Sequence, residues 1–280
     1  MNAILLTRQS EFQIYCANSL WRQRRITAVV VEKGFSFHRG GGIGTAARAV
    51  RRNAATIVPV MVRSPRTIAD YATLVLRKES YFGSQERHHR RLLQADYGSF
   101  AQDLPVYEVP DINSPQVPSV LQQLTPDIVL VFGTALIRPQ LFGVFPVPWV
   151  NLHWGWSPTY RGEGIVSALA REGPEALGVT VHLLSARSDA GHILHRARPT
   201  VDAEDNFYSI GLKLTRLGLD LFVRTLDDFG QSGHLDGEPQ DLSRGRVYTT
   251  KYMKTHPHLC HQAWANLKRA VLQGSEKRRA

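Results

Sequence analysis

The chain has 280 residues, enough for one large α/β domain or one domain with a modest appendage, and its 43% hydrophobic and 9% aromatic content can fill a sizeable core. A charged fraction of 21% excludes wholesale disorder, and the longest apolar runs are far too short to cross a membrane. The formal net charge of +10 is concentrated: residues 39–99 hold 11 Lys/Arg against 4 Asp/Glu, and residues 268–280 hold 5 against 1.

Such a concentration can attract an anionic substrate or nucleic acid, and it can equally be a solvated face with a disordered tail. The N-terminal MNAILLTRQSEF has no basic region and no small-residue cleavage site, so a secretory leader is not expected. Cys16 and Cys260 lie near opposite ends without metal-ligand spacing and read as reduced thiols of a cytoplasmic protein.

Residues 3–6 (AILL) read as a short buried strand. Residues 10–22 read as a helix, with Phe12, Cys16 and Leu20 four apart. The β-branched run 26–31 (ITAVVV) is a second buried strand, and strand–helix–strand is how a doubly wound parallel sheet begins. Next comes HRGGGIGTAARAVRR, whose glycines match neither a phosphate loop nor a dinucleotide fingerprint and read as a flexible turn. A helical stretch is expected within 68–95; its adjacent histidines in ERHHRR do not share a helix face and make a poor metal pair.

Regular alternation returns with a strand at 106–109 and a helix at 117–124, for which Asn113 or Ser114 is the expected cap and Pro115 the first helical residue. Strands are expected at 127–132 (DIVLVF), 149–153 (WVNLH) and 178–184 (GVTVHLL). A long amphipathic helix follows over 206–229, with Ile210, Leu214, Leu217 and Leu221 on its apolar face, Asp205 or Asn206 at its start and Gly230 at its end. A last helix is expected around 262–272.

The chemistry gathers in the second half. Strand side chains alternate, so Asn151 and His153 face one side of the sheet and Leu152 the other. Two polar side chains facing together at the end of an apolar strand need partners or a task, and α/β sheets place their sites at the carboxyl ends of strands. Asp189, in SARSDAGHIL after the next strand, can reach His153 from a neighbouring strand end. An amide, an imidazole and a carboxylate suit acyl transfer: two donors for an oxyanion and a carboxylate to orient the ring and take a proton. A core histidine and a turn-forming aspartate are the competing readings of these residues.

Taken together, TPDIVLVFGTALIRPQLF, VNLHWGWSPTYRGEG, GVTVHLLSARSDAGHIL and the long helix resemble the formyltransferase superfamily, over residues of about 124 to 229. The family pattern Asn-x-His followed by Asp-x-Gly is matched by Asn151, His153, Asp189 and Gly191, and its Tyr-Arg-Gly by Tyr160, Arg161 and Gly162. The resemblance implies a mostly parallel, Rossmann-like α/β fold and transfer of a formyl group from 10-formyltetrahydrofolate to an amine, with no metal. It implies Asn151, His153 and Asp189 as catalytic residues, and a folate site of Gly133, Leu136, Ile137, Ser185, Ser188 and Gly191. Acceptor contacts are expected from Trp154, Trp156, Tyr160, Arg161 and Gly162; the alternative for the two tryptophans is core packing.

The chain departs from the family pattern where the usual Ser-Leu-Leu-Pro becomes Gly155-Trp156-Ser157-Pro158 and Asp-Thr-Gly becomes Asp189-Ala190-Gly191. An acidic residue frequent earlier in that loop is replaced by Ser185 or Ala186. The expected division is a catalytic domain over 1–230, enlarged by a basic insertion at about 35–100, and a C-terminal extension over 231–280 with a basic tail. Because only about 50 residues follow the long helix, initiator tRNA is not the expected acceptor. A small anionic amine such as a nucleotide-linked amino sugar is, with a homodimer left open and nucleic acid and membrane not expected as partners. The competing functions are a non-catalytic nucleic-acid binder on the same core, and hydrolysis of the donor or transfer of another one-carbon or carbamoyl unit.

Overall fold

The computed structural model describes residues 1–33, 65–76, 98–202 and 204–277. The glycine cluster and the paired histidines of ERHHRR lie outside these residues. Of the helix expected within 68–95, a helix over Pro65–Leu76 (α2) is described.

The apolar, β-branched runs become the strands of one seven-stranded sheet. β1 (Ala3–Arg8), β2 (Ala28–Glu32), β3 (Val106–Val109), β4 (Ile128–Phe132), β5 (Trp149–His153), β7 (Val179–Leu183) and β8 (Ile193–Ala197) lie in the order β3-β2-β1-β4-β5-β7-β8. The first five are mutually parallel; β7 runs antiparallel to β5 and β8 antiparallel to β7. This is the doubly wound, mostly parallel sheet expected. The chain winds outward from β1 to β3, then crosses back to β4 on the other side of β1. The reversal opens a crevice at the carboxyl ends of β1 and β4.

The pleat sorts the core into two layers. Ala3, Leu5, Val29, Leu130, Val150 and Leu152 face one layer, and Ile4, Leu6, Val30, Val129, Val131 and Trp149 face the other. The first layer packs on α1 (Glu11–Arg22) and α6 (Phe207–Ser232), the second on α3 (Gln116–Leu124).

Three details differ from the sequence expectation, each for a physical reason. Neither Asn113 nor Ser114 caps α3, whose N-cap is Pro115. The Asn113 amide instead bridges the loop after β4, donating to the Leu136 carbonyl at 3.0 Å and accepting from the Arg138 N–H at 2.7 Å. α6 runs beyond Gly230 to Gly233, which takes the left-handed conformation (φ +73°) that ends helices. Finally, its buried seam is Ile210, Leu214, Phe222 and Leu226, while Leu217 and Leu221 are half-buried. The seam is turned by Gly218, where the helix backbone meets the side chain of Leu152 on β5 so closely that a Cβ would have no room. At its start α6 has a reciprocal capping box: Asn206 Oδ1 accepts from Ser209 N, and Ser209 Oγ accepts from Asn206 N, both at 2.9 Å.

Periodicity has nothing to say about the remaining elements because most are very short: α4 (Pro139–Phe142), β6 (Tyr160–Gly162), α5 (Gly164–Arg171), β9 (Arg246–Tyr248) and α7 (Thr250–Thr255). β6 and β9 pair in parallel as a separate two-stranded sheet. The final helix α8 (His258–Lys277) packs on α5, and Asn266 donates to the Leu169 and Ala170 carbonyls at the end of α5, at 2.8 and 3.2 Å. No helix among the described residues is long and apolar enough to cross a membrane.

Candidate active site

Register builds the site. β5 and β7 pair antiparallel with Asn151 opposite His182 and His153 opposite Thr180, so all four polar side chains lie on one face. Leu152 and Val181 between them face the other side and are buried in the first core layer.

His153 is 7% exposed, and its Nε2 lies 2.8 Å from the Tyr160 carbonyl oxygen. A carbonyl only accepts, so Nε2 carries a proton. Nδ1 points to Asp189 Oδ2 at 3.6 Å. Both ring nitrogens thus face oxygen atoms. Gly155 makes the approach to Tyr160 possible, since any Cβ there would overlap both His153 Nε2 and the Tyr160 oxygen.

The Asp189 side chain is 13% exposed and sits on a backbone turn with φ +49°. Oδ2 accepts from the Gly162 N–H at 2.8 Å and from Ser188 Oγ at 3.2 Å; Oδ1 accepts from Asn151 Nδ2 at 3.3 Å and lies 3.5 Å from His182 Nε2. Burial opposes ionisation of this carboxyl. His153, His182 and the Gly162 N–H outweigh burial and hold it well below the usual carboxylate range. The centre is therefore a fixed negative charge between two imidazoles.

His182 is a member of this cluster that the sequence did not single out. Its Nδ1 lies 2.8 Å from the Leu183 carbonyl and its Nε2 3.1 Å from Asn151 Nδ2. The Leu183 carbonyl only accepts, so Nδ1 carries a proton, while Nε2 faces both the Asn151 amide and Asp189 Oδ1. In the sequence it is one residue of an apolar strand, and only the antiparallel register reveals its partner. Glu32 was missed too. Buried at the end of β2, it pairs with Arg8 at 2.9 Å and accepts from the Ala135 and Ile112 N–H groups at 2.9 and 3.2 Å, which ties down the loop after β4.

The residues expected to hold folate are distributed as follows. Gly133 ends β4 at φ +72°. Leu136 is 70% exposed on the loop that Glu32 and Asn113 tether, whereas Ile137 is 4% exposed and packs in the second core layer. Ser185 Oγ donates to the Arg187 carbonyl, Ser188 donates to Asp189, and Gly191 is buried beside Leu183.

Of the residues expected to meet the acceptor, Tyr160 turns into the core, with its hydroxyl on Glu172 at 2.5 Å. Burial first, and then Glu172, push its pKa up. Gly162 supplies the N–H to Asp189. Trp154 packs edge-on against Phe12 and Phe132, at centroid distances of 5.1 and 5.7 Å. Trp156 is covered by the guanidiniums of Arg198 and Arg196 at 3.9 and 4.8 Å. Trp154 packs against the first core layer, whereas Trp156 is half-buried beneath the two guanidiniums. Arg161 differs from the others: it is 7% exposed, its Nε is buried without a partner, and among the described residues its guanidinium makes no hydrogen bond or ion pair. Among the described residues, no group of three or more His, Cys, Asp or Glu could hold a metal ion.

A fold of this topology with Asn, His and Asp gathered at the end of β5 defines an α/β group-transfer scaffold. The family model described as formyl transferase matches residues 60–226, and the chain belongs to that family. It is 30% identical over 128 residues to methionyl-tRNA formyltransferase of Chlorobium chlorochromatii, covering 46% of this chain and 41% of the relative. It is 32% identical over 142 residues to that of Thermosynechococcus vestitus, covering 49% and 41%. The chain thus spans about two fifths of the length of these curated relatives. Among solved structures, a 4-N formyltransferase from Francisella tularensis superposes with a TM-score of 0.53 at 14% identity, over 95% of this chain and 87% of that one. A sugar N-formyltransferase from a Shewanella species superposes at 0.54 and 13% identity, over 94% and 88%. These two share the fold.

Proposed function

We propose that the protein transfers a formyl group from 10-formyltetrahydrofolate to the primary amine of a small anionic acceptor. The observation that carries this reading is the convergence of Asn151, His153 and an ionised Asp189 at the carboxyl end of β5. The amine attacks the formyl carbon, and the carbonyl oxygen takes up negative charge. Asn151 Nδ2 and the proton on His153 Nδ1 lie on the side of Asp189 where that charge can be met. Asp189 accepts the proton released by the amine, and the ion pair with His153 keeps it ionised until then. The carbon–nitrogen bond to N10 of the folate breaks as the new amide forms, and N10 takes the proton held by Asp189, which returns to its ionised state.

The residues around the loop after β4 fit a folate. Leu136 offers an exposed apolar side chain for a ring, on a backbone held by Glu32 and Asn113. Of the pair Leu136 and Ile137, only Leu136 is placed to touch a ligand with its side chain.

Arg161 supports an anionic acceptor. A buried guanidinium with no counter-ion among the described residues is costly, and a phosphate or carboxylate on the substrate would supply a partner. It sits on β6 between Tyr160, which meets His153, and Gly162, which meets Asp189. A nucleotide-linked amino sugar combines the amine and the phosphate. An aminoacyl-tRNA is the second reading, favoured by the names of the curated relatives.

The test is turnover of 10-formyltetrahydrofolate with a panel of amines: neutral amino sugars, nucleotide-linked amino sugars, aminoacyl-tRNA and buffer alone. Formylation of the nucleotide-linked amines is expected, with Asn151→Ala, His153→Ala and Asp189→Ala each losing roughly 10²- to 10⁴-fold. Arg161→Ala is expected to raise the acceptor KM roughly 10- to 100-fold, the value of about 1.5–3 kcal/mol for bonds to a charged group. Full turnover in all three site variants would sink the assignment, and donor consumption with buffer alone would make the protein a hydrolase.

A further inference from the structure

Asp189 is a non-glycine residue in the left-handed region, φ +49°, a conformation that aspartate tolerates better than most residues but that the L configuration still penalises. Something must hold the turn if the carboxylate is to stay between His153 and His182. The restraint comes from a segment more than 45 residues away. Gln240 lies beyond α6, and its Nε2 donates to the Asp189 carbonyl at 3.0 Å and to the Gly191 carbonyl at 2.6 Å. One amide thus spans both sides of Ala190. The orientation of the amide is unambiguous, because the reverse would point Oε1 at two carbonyl oxygens. Oε1 is instead buried with no partner, an unfavourable arrangement accepted with both donors committed to the loop.

The segment carrying Gln240 is itself anchored. Just before it, Glu238 and Ile193 exchange two backbone hydrogen bonds of 2.8 Å, which join the segment to the start of β8. Just after it, β9 pairs with β6, whose Gly162 N–H holds Asp189 Oδ2. The carboxylate is therefore gripped twice from the region after α6, through its backbone by Gln240 and through its oxygen by way of β6.

We infer that Gln240 is a positioning residue that sets the Asp189 carboxylate against His153 and His182 by clamping the 189–191 turn. Its donors are both committed to the backbone of the turn, so it acts through Asp189. The inference deepens the formyl-transfer reading and depends on it for the turnover measurement alone.

The test compares the wild type with two variants of nearly the same shape. Gln240→Met removes both donors. Gln240→Glu presents an ionised carboxylate to the two carbonyls at neutral pH and one O–H donor when protonated. In protein labelled with ¹⁵N-histidine, Gln240→Met is expected to shift the ring-nitrogen signals of His153 and His182, assigned by single His→Gln variants, while that of His261 stays in place. With 10-formyltetrahydrofolate and an accepted amine, kcat is expected to fall about 10- to 100-fold, the scale of a misplacement approaching 1 Å, with KM for the donor within about threefold. Gln240→Glu is expected to recover kcat relative to the wild type as the pH falls from 8 to 5, which a purely architectural role would not produce. Unchanged His153 and His182 signals in Gln240→Met would overturn the inference, as would a kcat equal to the wild type. Should the wild type itself transfer no formyl group, the reading of its function fails and the histidine signals alone decide the role of Gln240.

Discussion

Gly155→Ala probes the packing under His153, the imidazole proposed to act in formyl transfer. A Cβ at this position would overlap both His153 Nε2 and the Tyr160 carbonyl oxygen, the two ends of a 2.8 Å hydrogen bond, and lie 3.0 Å from His153 Cδ2. The carbonyl belongs to β6, which is paired to β9, and the ring belongs to β5 inside the sheet, so neither partner can retreat alone. Forcing a methyl into a packed interior costs about 1–3 kcal/mol. Leaving a buried carbonyl or ring nitrogen unpaired costs about 1–3 kcal/mol more. A loss of about 2–6 kcal/mol is therefore expected in urea unfolding, seen as a lower midpoint at constant slope. A ring pushed aside by about 1 Å also implies a roughly 100-fold lower rate of formyl transfer. A variant within about 0.5 kcal/mol of wild-type stability and with unaltered turnover would mean that this contact does not place His153.

Two further outcomes follow from the same geometry. Because the Asp189 carboxyl is depressed from its ordinary 3.8, it adds stability that is fully present above about pH 4 and is lost as the pH falls towards its folded value. Asp189→Asn should therefore flatten the acid limb of stability below about pH 4, and a slope equal to the wild type there would contradict the ion pair. Asn206→Ala removes one half of the capping box on α6 and should cost about 1 kcal/mol in urea unfolding. No change in the midpoint would show that the cap contributes nothing to the fold.

The strands were legible because burial on both faces demands apolar, β-branched residues, as in DIVLVF and ITAVVV. Asn151 and His153 could be placed on one face by strand alternation alone, and Asp189 could be tied to them through the Asn-x-His and Asp-x-Gly pattern. What stayed hidden is non-local. His182 acquires its meaning from an antiparallel pairing with β5, and periodicity carries no register. Gln240 acts on a loop some 50 residues earlier, and Pro-Gln in a polar stretch signals nothing. The paired β6 and β9 are three residues each, too short for any repeat to show. Asn113 was read as a cap because it precedes a helix, while its amide is spent bridging to Leu136 and Arg138.

The pairing of β6 with β9 also sets when, during synthesis, the site can become complete. Asn151, His153, Gly162 and Asp189 all leave the ribosome well before Arg246–Tyr248, the strand against which Gly162 is laid. At roughly 5–20 residues per second, several seconds separate the emergence of Asp189 from that of β9. A nascent chain halted in that interval would carry Asn151, His153 and Asp189 yet lack the strand that steadies Gly162 beside the carboxylate.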